Sequence, residues 1–139
     1  GAPSSEAAAS AAAGAGAGQL TEEQIRNGIG PITKAELGEI DAARVSKGGE
    51  IFALKCAACH KLDERYIGPA LRDVLDRRTP EFVLNMMLNS WEMTQRHPTV
   101  KEMLAQYYTP MPNQALSEED ARALLDYLRQ ARADGPGRS

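Results

Sequence analysis

Two cysteines and a histidine within five positions, Cys56-Ala57-Ala58-Cys59-His60, constrain this chain more than any other feature. They are the only two cysteines among 139 residues, and His97 is the one further histidine. A structural zinc site needs four ligands, and no third thiol exists to complete it. A thioredoxin-type redox pair belongs in a βαβ setting, yet no run of this chain alternates apolar and polar residues over a useful length. A disulfide across two residues would be strained and would leave His60 without a role. What fits is covalent haem attachment. Two thiols three apart add to the two vinyl groups on one haem edge, and the next residue lies under the iron with its imidazole free to ligate. Cys56 and Cys59 are therefore read as the anchors of one haem c, and His60 as an iron ligand.

A ligating histidine usually donates its second ring N–H to an acceptor, which fixes the ring. Gly68-Pro69 follows at the distance a returning loop needs, so the carbonyl of Pro69 or of Gly68 is the expected acceptor. For the sixth ligand, Met86, Met87 and Met103 sit in helical apolar patterns where methionine fills a core. His97 precedes Pro98 and reads as a helix cap. Met111 differs, because Thr109-Pro110-Met111-Pro112-Asn113 is a stiff loop whose prolines preclude helix. A thioether on a rigid loop suits a soft axial ligand, so the expected metal ligands are His60 and Met111.

The rest of the chain reads as all-α. Residues 1–19, rich in Ala, Gly and Ser, carry too little apolar surface to offset ordering entropy and read as a flexible tether. Thr21 and Gln24 have capping-box spacing and open a short helix in an N-terminal extension over 20–40. Asp41 caps a longer helix with an inward face of Val45, Gly48, Gly49, Phe52, Ala53 and Cys56. Its adjacent glycines cost about 1 kcal/mol each relative to Ala, which points to a backbone passing close to another helix. Arg72 to Arg77 adds a turn or two. Thr79-Pro80-Glu81 opens a helix running to about Trp91, and Pro98 opens another with the stripe Val100, Met103, Leu104 and Tyr107. Ser117 caps the last helix, striped by Ala121, Leu124, Leu125 and Leu128, and Gly135-Pro136 stops it before a disordered tail over 134–139. A net charge of -3 speaks against a nucleic-acid footprint. No apolar stretch is long enough to span a bilayer.

On these motifs the sequence resembles class I cytochromes c over about 41–132, with the attachment motif near the front and the ligand methionine before the last helix. The resemblance implies helices wrapped around one covalent haem in a cytochrome c domain over 41–133. Gly48, Phe52, Leu124 and Tyr127 match the positions where the first and last helices of such proteins cross. Ile67-Gly68-Pro69-Ala70-Leu71 is similar to the family's proximal loop, where the proline carbonyl accepts from the histidine and Leu71 would pack on the haem. The Tyr108 to Pro112 run is similar to its methionine loop, and Trp91 would donate its indole N–H to a haem propionate. Lys61 to Asn113 resembles, more narrowly, bacterial respiratory cytochromes c that feed haem–copper oxidases, some of them fused or tethered to the oxidase. The resemblance thus implies a monomeric single-electron carrier rather than an enzyme. Its donor would be a quinol-oxidising complex, its acceptor a haem–copper oxidase, and its place the periplasm or the outer face of the cytoplasmic membrane. The tether would hang from an N-terminal lipid or preceding domain. The alternative is a peroxidase-like haem enzyme or ligand sensor with a displaceable sixth ligand. The extension over 20–40 is a departure from minimal members.

Overall fold

Side-chain caps fix where the helices of this chain begin. In the computed structural model, which describes residues 19–138, Thr21 Oγ1 accepts from Gln24 N at 3.0 Å while Gln24 Oε1 accepts from Thr21 N at 2.9 Å. This reciprocal pair opens α1 (Glu22–Asn27). The Asp41 carboxylate opens α2 (Ala42–Ile51). After the short α3 (Val74–Arg77), Thr79 and Pro80 open α4 (Pro80–Leu88). There follow α5 (Ser90–Arg96), α6 (Pro98–Tyr107), capped by His97, and α7 (Glu118–Asp134), capped by Ser117. No strand occurs among the described residues. The tether expected over 1–19 falls outside them but for its last residue.

The glycine pair does what the sequence anticipates. A Cβ at Gly48 would lie 2.1 Å from the Ala123 carbonyl oxygen and 2.8 Å from Tyr127 Cβ, so α2 and α7 cross with backbones in contact. The Phe52 and Tyr127 rings meet beside the crossing at 5.3 Å between centroids. Leu124, Leu125 and Leu128 are buried there with Phe52, Val83 and Leu84. Each buried aliphatic side chain is worth about 1.5–3 kcal/mol.

Two helices depart from expectation. α2 continues as a π-helical turn, Phe52–Cys56, closed by Ala57 N donating to Phe52 O at 2.9 Å. The wider turn ends the three-and-four spacing, so Ala53 is exposed rather than inward. The helix opened by Thr79 stops at Leu88 instead of reaching Trp91, because Asn89 leaves helical geometry and α5 starts afresh at Ser90. The Asn89 side chain donates to Ile29 O at 2.9 Å.

That bond is one of a set that binds the extension to the helices. Asn85, wholly buried, donates to Asn27 O at 3.0 Å and Ile32 O at 2.8 Å, and accepts from Ile32 N at 2.9 Å. His97 donates through Nε2 to Ile25 O at 2.9 Å, and Met93 Sδ accepts from Ile29 N at 3.1 Å. Ile29 and Ile32 are buried beneath. The other end of the described residues makes side-chain contacts too. Arg72 donates to Ala131 O at 2.7 Å and to the Arg138 carbonyl, and pairs with the Asp63 carboxylate. Gly137 N donates to the same carboxylate at 3.2 Å. Gly135-Pro136 stops the helix, but an arginine far away in sequence secures the residues beyond it.

Candidate haem site

The π turn delivers Cys56, and a tight turn after it delivers the other two residues. Cys59 N and His60 N both donate to Cys56 O, at 3.0 and 2.8 Å. Both cysteines are free and half-buried, and with His60 they border a cavity of about 740 Å³. Pockets for small molecules and cofactors commonly hold ~300–1,000 Å³ and have largely apolar walls. Leu71, Val74, Val83, Met87, Leu124 and Leu128 supply such walls here.

The histidine is prepared for a metal. His60 Nδ1 donates to Pro69 O at 2.9 Å, which leaves Nε2 as the ring's acceptor nitrogen. Of the two carbonyls the sequence left open, Pro69's takes the ring; Gly68's accepts from Tyr66 N at 2.9 Å. Gly68 has another role. A Cβ there would lie 2.7 Å from His60 Cε1, so only glycine lets the loop cradle the ring. Burial lowers the imidazole's pKa, against the opposing pull of the Pro69 carbonyl. The ring is thus kept neutral, as a metal ligand must be. Burial, with the neighbouring Cys59, pushes the Cys56 thiol up to about 11, while Lys55 pulls weakly the other way. A thiol so raised is a poor thiolate nucleophile at neutral pH. That is unsuited to a redox dithiol, and of no consequence to a sulfur held in a thioether.

Met111 lines the same cavity. Its loop is tied down, with Lys55 Nζ donating to Gln114 O at 2.9 Å and Gln114 Nε2 to Pro112 O at 2.8 Å. Leu71 and Pro69 border the cavity as well. Trp91 does not. It is 69% exposed, and the restart of helix at Ser90 turns Ser90, Met93 and Thr94 inward in its place. His97 lies in the core, with Nδ1 accepting from Thr99 N at 3.1 Å and Nε2 spent on α1. Sequence reasoning missed Phe82 as a wall residue, although it lies one turn before Met86 on the same helix stripe.

The residues fit a covalent haem, with two sulfurs on one side, a neutral oriented imidazole, a thioether on a fixed loop, and an apolar space of suitable size. A family model described as cytochrome c matches residues 45–132. The solved structure of cytochrome c from Rhodothermus marinus is similar at 49% identity, covering 83% of this chain and 100% of that one, with a TM-score of 0.78. An engineered Rhodothermus marinus cytochrome c, Rma TDE, is similar at 50% identity over 80% of this chain and 97% of its own, with a TM-score of 0.75. The same engineered protein bound to a carbene intermediate gives 49%, 80%, 97% and 0.72. No curated protein matches.

Proposed function

The chain belongs to the cytochrome c family and is an electron carrier with one covalent haem c, and from that premise we propose that it serves a respiratory chain. In this reading it takes electrons from a quinol-oxidising complex and delivers them to a haem–copper oxidase. One observation carries it: the cavity has the oriented His60 imidazole and the anchored Met111 thioether on its walls. We take these two as the axial ligands. With both positions filled, the iron changes oxidation state without binding substrate, and Met/His ligation raises its potential.

Haem c supplies the one-electron couple; the chain supplies position and environment. Cys56 and Cys59 hold it covalently. Pro69 and Gly68 orient His60, and the aliphatic walls exclude water. An enzyme or ligand sensor would need Met111 to leave, and the Lys55–Gln114 tie opposes that movement. The carrier acts as a monomer and meets its partners through small, transient interfaces. It works in the periplasm or on the outer face of the cytoplasmic membrane. The Ala/Gly/Ser-rich run at 1–18 supports a tether from a lipid or preceding domain.

The test is reduction of the purified holoprotein by quinol-oxidising complexes, followed by reoxidation at turnover rate by a haem–copper oxidase. Failure of every oxidase tried to accept its electrons rejects the respiratory assignment and leaves the carrier in place. Mass spectrometry of the native N-terminus tests the tether, and a free, unmodified terminus rejects the lipid.

A further inference from the structure

α6 leads directly into the Met111 loop: only Tyr108, Thr109 and Pro110 separate its last residue, Tyr107, from the thioether. The loop's other end is tied by Lys55 to Gln114 O. α6 itself stands apart from the α2–α7 crossing, and among the helices it packs chiefly on α5. Its position therefore depends on what else holds it. At its last turn, Arg65 donates to Gln106 O at 2.7 Å and lies 4.1 Å over the Tyr107 ring.

At its first turn the hold comes from the extension. His97, the cap of α6, is wholly buried, donates through Nε2 to Ile25 O at 2.9 Å, and stands edge-on to the Phe82 ring at 5.2 Å. Along the inner face the hold is apolar. Ile29 of the extension is buried in one cluster with Phe82, Met93 and Val100, and Met86 and Met103 pack against it. Phe82, Met86, Val100 and Met103 all line the cavity, so Ile29 stands one layer behind that wall. Ile32, three residues on, is buried in the other cluster, which contains no residue of α6.

We propose that the extension is a positioning element for the sixth ligand: Ile29 and the Ile25 carbonyl fix α6, α6 fixes the start of the Met111 loop, and the Met111 side of the iron is thereby kept closed to external ligands. This rests on Met111 as axial ligand. For the thioether to swing away from the iron, Val100 and Met103 must part from Ile29. The open state is rare while that contact stands, and the apparent affinity of an external ligand falls with its population.

Imidazole is the probe, since it binds the oxidised iron only where Met111 has left, and loss of the near-infrared sulfur-to-iron band reports the exchange. In Ile29→Ala the apparent affinity of the holoprotein for imidazole should rise about tenfold or more. Ile29→Val should recover most of the wild-type value. Ile32→Ala, which empties a comparably buried site away from α6, should stay within about twofold of the wild type. Equal gains in both alanine variants would trace the effect to general loss of stability and overturn the proposal, as would no gain in Ile29→Ala. A wild type that lacks the band overturns Met111 ligation itself, and the proposal falls with it. If Ile29→Ala yields no folded holoprotein, the wild type decides, because the coupling is reciprocal. Saturating imidazole should then speed exchange of the Ile29 amide, which donates to Met93 Sδ. Unchanged protection there refutes the coupling.

Discussion

At the scale of single residues, the site rests on what touches His60 and Met111. The imidazole is clasped between an acceptor at Pro69 and the bare α-carbon of Gly68, so it can neither turn nor protonate readily. Met111 has no such clasp of its own and depends on its loop. Met111→Ala should therefore abolish the weak near-infrared sulfur-to-iron charge-transfer band of the oxidised protein and lower its midpoint potential, since thioether ligation raises it. An unchanged band would place another group on the iron. Much of this was legible in sequence, because Cys56, Cys59, His60 and Pro69 are brought together by short-range spacing and a single returning loop. The exposure of Trp91 was not legible. Its direction depends on the break at Asn89, whose side chain answers a carbonyl of the extension that nothing local announces.

At the scale of elements, the crossing of α2 and α7 sets the cavity's shape, since Phe52 from one helix and Leu124 and Leu128 from the other reach the cavity. Gly48→Ala would drive a methyl group into the Ala123 carbonyl, a backbone atom with no freedom to swing aside. The expected loss is about 1–3 kcal/mol, the usual cost of overpacking, even though alanine is the better helix former. Chemical denaturation of the holoprotein measures it, and a variant as stable as the wild type would mean that the helices can part without penalty. The glycine pair announced this crossing because two helix-weakening residues side by side have few other uses. The π turn after it had no such sign, since it is defined by a backbone bond from Ala57 to Phe52 and by no residue type.

At the scale of the whole molecule, both ends of the described chain are fastened by side chains distant in sequence. Asn85→Ala would leave the Ile32 amide and two carbonyls of the extension without their partner. Each buried group so orphaned costs about 1–3 kcal/mol. A lowered thermal midpoint should appear, with faster amide exchange concentrated in residues 27–32. At the other end, Arg72, by its hydrogen bond, holds the Asp63 carboxyl below its usual range against the opposing effect of burial, and the Gly137 amide assists. A lowered native pKa stabilises the fold above the ordinary aspartate value of about 4, and that contribution is lost as pH falls through the native value. Asp63→Asn should thus be less stable than the wild type at neutral pH, and the gap should close in acid. A gap independent of pH would trace the loss to packing instead.

The bonds that secure the extension fall on its own peptide groups: Ile25, Asn27, Ile29 and Ile32 offer carbonyls or amides, while Asn85, Asn89 and His97 supply the side chains. A peptide group is nearly the same whatever residue carries it. The information that places the extension is therefore stored largely outside it, in Thr79 and α4, in α5 and at its two ends, and in Arg129 of α7, which donates to Gly38 O. Apart from the Thr21–Gln24 cap, the buried Ile29 and Ile32, and Gly28 and Gly30, where a side chain would meet Met93 and Asn85, its spelling is free to drift across generations while its path stays put. A few amide and imidazole groups elsewhere must be inherited intact for that freedom to exist.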